Sequence, residues 1–144
     1  RESMTNCLLD TCAISELTRE APSENVVSWF ESMNEQRLFL SVVSIGELEK
    51  GIYGLEQGKK RIRLEKWFFD EVVPGFSGRI LEIGQKTIST WAKLSVELKT
   101  KGIVRPSFDS LLEATSLEHD LILVTRNVKN FQESSVTILN PWED

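Results

Sequence analysis

The sequence predicts an α/β fold: an α/β/α sandwich built on a five-stranded, mostly parallel sheet. Two observations carry this. Short apolar runs of strand length alternate along the chain with segments of helical period, the pattern of βαβ units. The run "LILVT" at 121–125 is apolar without alternation, as a strand covered by helices on both faces must be.

Each element follows from its residues. An apolar first strand over 7–9 leads into a short helix over 13–18. Pro22 and Ser23 open the next helix, with Ser23 as N-cap and Val26, Val27, Phe30 and Met33 on one face. "RLFLS" at 37–41 is the second strand. From Ser44 a helix carries Ile45, Leu48, Ile52 and Leu55 at the spacing of one buried face and ends near Gly58. A further helix over 59–72 runs until Pro74 and Gly75 break the chain. "RILEI" at 79–83 is the third strand, and a long helix over 85–99 ends at Gly102. A helix over 107–119 leads into the strand at 121–125, and a short last strand covers 136–139.

Composition bounds the function classes. A chain of 144 residues fits one domain, expected over 4–144, burying about two-thirds of the surface its unfolded form exposes. Arg1, Glu2 and Ser3 before Met4 read as a remnant of an expression vector and are set aside. With 40% hydrophobic and 27% charged residues the composition is that of an ordinary soluble globular protein, not a disordered or fibrous one. No segment approaches the roughly 18 apolar residues of a membrane span. Cys7 and Cys12 are too few for a disulfide framework, so free thiols in a reducing cytoplasm are expected. A net charge of −5 repels nucleic acid at long range, which leaves room for a nucleic-acid ligand only with a local basic patch or bound cations. "GKKRIRLEK" at 58–66 is such a patch: Lys59, Lys60, Arg61, Arg63 and Lys66 form either a solvated helix face or a guide for a strand.

Ligands of open parallel sheets sit beyond the carboxyl ends of the strands, where the strand order reverses. The polar residues expected there are Asp10, Glu47, Asp109 and Asn127. Each has a local reading. Asp10 can cap the helix behind it, Glu47 completes an S-x-x-E capping box with Ser44, Asp109 complements a helix dipole, and Asn127 can cap the turn at 128–131. Together they read differently, because three carboxylates at one edge repel unless a cation lies between them. Oxygen donors without a His or Cys cluster suit Mg²⁺ or Mn²⁺ rather than zinc. His119, the one histidine, sits near a helix C-terminus and reads as a dipole partner.

Four stretches extend the pattern. "LLDTCAISEL" resembles the opening "LLDTNVISEL" of the PIN-domain ribonucleases of the VapC type, toxins of type II toxin–antitoxin systems. "LSVVSIGELEKGI" resembles their second motif, S-x-x-x-x-E-L-x-x-G, and "FDSLLEATSLEHDLILVTRN" their third, D-x-x-I-A-A-T-A leading to L-x-L-V-T-R-N. The ending "ILNPWED" is similar to the tail of one branch of that family.

The resemblance implies a PIN-like fold in which Asp10, Glu47 and Asp109 bind one or two divalent ions, Mg²⁺ or Mn²⁺, with Asn127 completing the pocket. It implies hydrolysis of RNA phosphodiesters by metal-activated water, with Asp10 and Asp109 as ligands and Glu47 as a ligand or orienting base. Thr11 and Thr125 would order the pocket by hydrogen bonding, and the patch from Lys59, Lys60 and Arg61 onward would guide the RNA. The resemblance also implies a homodimer and a cognate VapB-like antitoxin that neutralises the growth-inhibiting activity. The aromatic side chains of Trp29, Phe30, Trp67, Phe68 and Phe69 would receive the antitoxin tail or pack the core.

Two residues depart from the family pattern. Cys12 stands where the family has Asn, and Glu113 replaces a small residue. Glu113 lies at i+4 from Asp109 and either supplies the charge that Asn127 lacks or is an outward, solvated side chain. Two other functions remain open: a PIN-fold binding module with a weakened site, and a phosphotransfer or phosphatase domain. The latter would want a second acid in D-x-D, where Cys12 stands.

Overall fold

The computed structural model describes residues 5–143. The expected vector remnant, with Met4 and Asp144, lies outside the described residues. Five strands, β1 (Cys7–Leu9), β2 (Leu38–Ser41), β3 (Ile80–Leu81), β4 (Ile122–Val124) and β5 (Ile138–Leu139), form one sheet in the order β3-β2-β1-β4-β5. Every neighbouring pair is parallel, so the sheet expected to be mostly parallel is wholly so. Successive strands are joined through helical crossovers, and among the described residues no hairpin brings in an antiparallel edge.

The central strand explains the layers. Successive side chains of a strand point to opposite faces. Cys7 and Leu9 join one core cluster with Ala13, Leu48, Ile52 and Phe68, whereas Leu8 joins another with Leu112, Leu123 and Phe131. The first cluster packs under α1 (Thr11–Glu16), α2 (Glu24–Ser32), α3 (Val42–Tyr53) and α4 (Lys59–Trp67). The second lies under α7 (Ser107–His119). Among the described residues no helix is long and apolar enough to cross a membrane.

Three local differences from the sequence expectation have physical reasons. The helix placed at Ser44 starts at Val42, because the Ser41 hydroxyl accepts from the Val43 N–H at 3.0 Å and caps it. The expected Ser44–Glu47 capping box therefore does not form, and Ser44 is buried inside the helix. The helix expected over 59–72 runs on through a π-helical turn, Phe68–Val72, into α5 (Val73–Gly75). Pro74 does not stop the run ahead of itself: it lies inside α5, one residue before that helix ends at Gly75. The third strand shrinks from five residues to two at the edge of the sheet. α6 (Gln85–Thr100) ends at Gly102 with φ +76°, the left-handed conformation that glycine adopts without penalty.

Candidate functional site at the carboxyl edge of the sheet

Strand order reverses beside β1, whose neighbours are β2 and β4. The β1–β4 register pairs Leu9 with Val124, so the residues that follow, Asp10 and Thr125, emerge side by side. The Asp10 N–H donates to the Val124 carbonyl at 2.9 Å and the Thr125 N–H to the Leu139 carbonyl at 3.0 Å, extending the ladder to its rim. Asp10 is 7% exposed and both its oxygens are held. Oδ1 accepts from the Thr11 N–H at 2.7 Å, which makes Asp10 the N-cap of α1, and Oδ2 accepts from the Thr125 hydroxyl at 2.7 Å. The Cys12 thiol adds a weaker donor to Oδ2 at 3.7 Å. Burial first, then the charge of Asp10, pushes that thiol up, so it remains a donor rather than a thiolate.

Glu47 reaches the same edge from α3. Because the helix begins two residues earlier than Ser44, Glu47 lies in its second turn and its carboxylate is not spent on capping. It accepts instead from the Thr11 hydroxyl at 2.5 Å. Thr11 thereby joins the two acids: its N–H holds Asp10 and its hydroxyl holds Glu47.

Asp109 lies in the first turn of α7, a helix with no side-chain cap, where a negative charge complements the dipole. Burial first, then the charges of Asp10 and Glu47, pushes its carboxyl above the ordinary value of 3.8, while Arg105 pulls it back. The three acids thus share one repulsive field. Asn127 joins the edge through its backbone, whose N–H donates to the Thr125 hydroxyl at 3.0 Å. It is the N-cap residue of the turn Val128–Phe131, but its side chain makes no capping bond.

Among the described residues no three carboxylate, thiol or imidazole groups are drawn together at the spacing of one shared ion. Asp10 and Glu47 are held by their own hydrogen bonds. The donor chemistry fits a hard divalent cation: the groups facing the edge are carboxylate oxygens, and their mutual repulsion at Asp109 is what such a cation relieves. His119 is not part of the edge. It lies in the last turn of α7, with Nε2 3.5 Å from Glu118.

Glu113 corrects the expectation of an outward, solvated side chain. It is fully buried, with Oε1 2.5 Å from Arg105 Nε and Oε2 3.4 Å from Arg105 Nη2. Its charge is matched by Arg105, so it does not stand in for the charge missing at Asn127. Arg105 continues to the carbonyls of Asn130 and Gln132 at 2.7 and 2.9 Å and lies over the Phe131 ring. It ties the segment after Asn127 to the helix that carries Asp109. Neither i+4 spacing nor composition foretold this, because Arg105 enters from the connection before α7.

The basic patch divides. Lys59, Lys60 and Arg63 line a cleft of about 810 Å³ with residues 18–21, and Asp10, Glu47, Asp109 and Asn127 are not in its walls. Arg61 is not in that wall either: Nε pairs with Glu65 at 3.1 Å, Nη1 donates to the Leu55 carbonyl at 3.2 Å, and the guanidinium lies over Tyr53. Among the aromatic residues, Phe68 belongs to the core at 1% exposure. Trp29, Phe30 and Trp67 pack partly buried against it, and Phe69 stays half-exposed. Trp142 of the tail packs on the same cluster and lies under the Arg126 guanidinium, a contact the sequence did not foretell.

The arrangement has counterparts. The PIN domain model matches residues 7–134. The chain is 34% identical over 137 residues to Toxin FitB of Neisseria gonorrhoeae, covering 95% of this chain and 99% of that protein. It is 32% identical over 136 residues to VapC ribonuclease Y4jK of Sinorhizobium fredii, covering 94% and 97%. The solved structure of FitAcB from Neisseria gonorrhoeae superposes with a TM-score of 0.91 at 33% identity, covering 96% of this chain and 99% of that one.

Proposed function

Because the chain belongs to the PIN-domain family, we propose that it is a divalent-metal-dependent endoribonuclease of the VapC toxin type, acting in the cytoplasm and neutralised by a cognate antitoxin. The single observation that carries this is the linkage at the sheet edge. Thr11 joins Asp10 to Glu47, Thr125 grips the same Asp10, and Asp109 feels both charges. The names of the relatives, a toxin and a ribonuclease, support the biological half of the reading.

Asp10 and Asp109 would hold the ion, with Glu47 as a third ligand or the base that orients water. A divalent ion there acidifies water and neutralises phosphate charge. The chain's own groups do the rest. Thr125 and Cys12 fix Asp10 Oδ2, which leaves the carboxylate one orientation. Thr11 aims Glu47 toward the same edge. Asn127, neutral where an acid could stand, would contribute an amide to the pocket wall. Lys59 and Lys60 in the cleft beside α1 would guide an RNA strand against the overall charge. A homodimer and a VapB-like antitoxin partner complete the proposal, the half-exposed Phe69 and its aromatic neighbours offering apolar surface to the antitoxin tail.

The test is cleavage of a mixed structured RNA pool by antitoxin-free protein with Mg²⁺ or Mn²⁺, beside EDTA and the Asp10→Asn variant. Metal-dependent cutting that disappears in Asp10→Asn is the expected result. Equal cutting by both proteins, or none by a folded protein that binds RNA, would overturn the catalytic reading in favour of a binding module.

A further inference from the structure

An arginine fork binds phosphate better than any other side chain because its planar N–H edge matches the anion's oxygens. Most of the forks in this chain are already engaged. Arg19, Arg37, Arg61, Arg79 and Arg105 each hold a carboxylate, an amide oxygen or backbone carbonyls. Among the described residues, Arg63 and Arg126 keep guanidinium groups with neither a carboxylate nor a hydrogen-bond acceptor. Arg63 lies in the cleft beside α1. The backbone of Arg126 lies at the acid edge, between Thr125 and Asn127.

The backbone of Arg126 is pinned there. Thr125 before it donates to Asp10, and the Asn127 N–H after it returns to the Thr125 hydroxyl. The exposed side chain of Arg126 lies over the Trp142 indole, with Cζ 5.5 Å from the ring centroid. That seat is rigid in turn. The Trp142 N–H donates to Asn140 Oδ1 at 3.0 Å, its carbonyl accepts from Asn25 of α2 at 2.8 Å, and its ring packs on the core. A cation laid on an indole keeps its charge and its outward donors while losing freedom to wander.

A seated cation with nothing to bind inside the fold, next to acids that repel polyanions, is placed for an anion from outside. We propose that Arg126, seated on Trp142, binds a backbone phosphate of the RNA strand at the mouth of the acid cluster. The inference rests on RNA being the substrate proposed above. It makes Arg126 a substrate contact and Trp142 a positioning residue.

The experiment measures polarisation of a labelled, mixed-sequence single-stranded RNA across a salt series in Ca²⁺, with cleavage in Mg²⁺ measured separately. Arg126→Ala is expected to weaken binding about tenfold and to lower the slope of log affinity against log salt by about one. Arg126→Lys keeps the charge and should keep the slope with a partial loss of affinity. Trp142→Phe, a weaker seat of similar shape, should likewise lose affinity without losing slope. Mn²⁺ affinity should stay at the wild-type value in Arg126→Ala, separating phosphate contact from damage to the acids. An Arg126→Ala protein with the wild-type slope and affinity would overturn the inference, and so would a chain that binds no RNA at all. RNA binding without cleavage, still lost in Arg126→Ala, would uphold Arg126 and overturn only the ribonuclease reading.

Discussion

Arg105 and Glu113 form an ion pair closed to solvent: Nε and Oε1 stand 2.5 Å apart, with 2% and 0% of the two side chains exposed. Two charges in such a site survive only because they come together, since either one alone would face the cost of desolvation without its partner. Glu113→Leu or Arg105→Met alone should therefore destabilise the protein by about 3–5 kcal/mol. The double variant Arg105→Met/Glu113→Leu should recover most of that loss, and urea unfolding of the four proteins measures the coupling. Equal, additive losses would mean that the pair is not a unit.

Asp109 makes the opposite case, a group whose charge the fold disfavours. Burial and the charges of Asp10 and Glu47 raise its carboxyl above the unfolded value of 3.8. Between those two values the folded chain holds a proton the unfolded chain has released, so stability falls as pH rises through that window and stays low above it. In EDTA, Asp109→Asn should be the more stable protein at neutral pH, and its advantage should vanish below pH 3.8. Adding Mn²⁺ should raise the melting midpoint of the wild type more than that of the variant. Thermal melts across pH, with and without the ion, check both signs.

Thr125 has one hydroxyl for two tasks, donating to Asp10 Oδ2 and accepting from the Asn127 N–H. Thr125→Val keeps the shape and leaves a nearly buried carboxylate with a thiol as its remaining side-chain donor on that oxygen. The expected cost is about 1.5–3 kcal/mol in stability, together with weaker Mn²⁺ binding. Thr125→Ser should restore both. Calorimetric titration of Mn²⁺ into the three proteins would expose a purely steric role if Ser failed where Val succeeded.

Asp120 ends α7 with φ +56°, in the left-handed region. Aspartate tolerates that conformation less well than glycine, which is the usual residue at this place in a helix end. Asp120→Gly should stabilise the protein by about 0.5–1 kcal/mol, and no change in the urea midpoint would show that the side chain compensates the strain.

What was readable in the linear chain was whatever depends on near neighbours. Apolar alternation and helical period are local, so the strands at 7–9 and 122–124 and the helices over 85–100 and 107–119 stand close to where the residues put them. The acids Asp10, Glu47 and Asp109 were legible for a related reason: a parallel sheet must deliver its strand ends to one edge. Element limits were less legible, because Ser41 and Ser44 are both competent caps and packing chose between them. The partners of charged side chains were not legible at all. Glu113 reads as a solvent residue until Arg105 is seen to arrive beside it from the preceding connection. Arg61 is held by Glu65 within its own helix, whereas Arg126 is seated on the indole of Trp142, sixteen residues further along. The sequence by itself determined the sheet, its helical layers and the edge where acids gather. The tertiary structure alone decided which charges neutralise one another and which remain free to meet a ligand, because that depends on contacts between residues far apart in the chain, which no local pattern encodes.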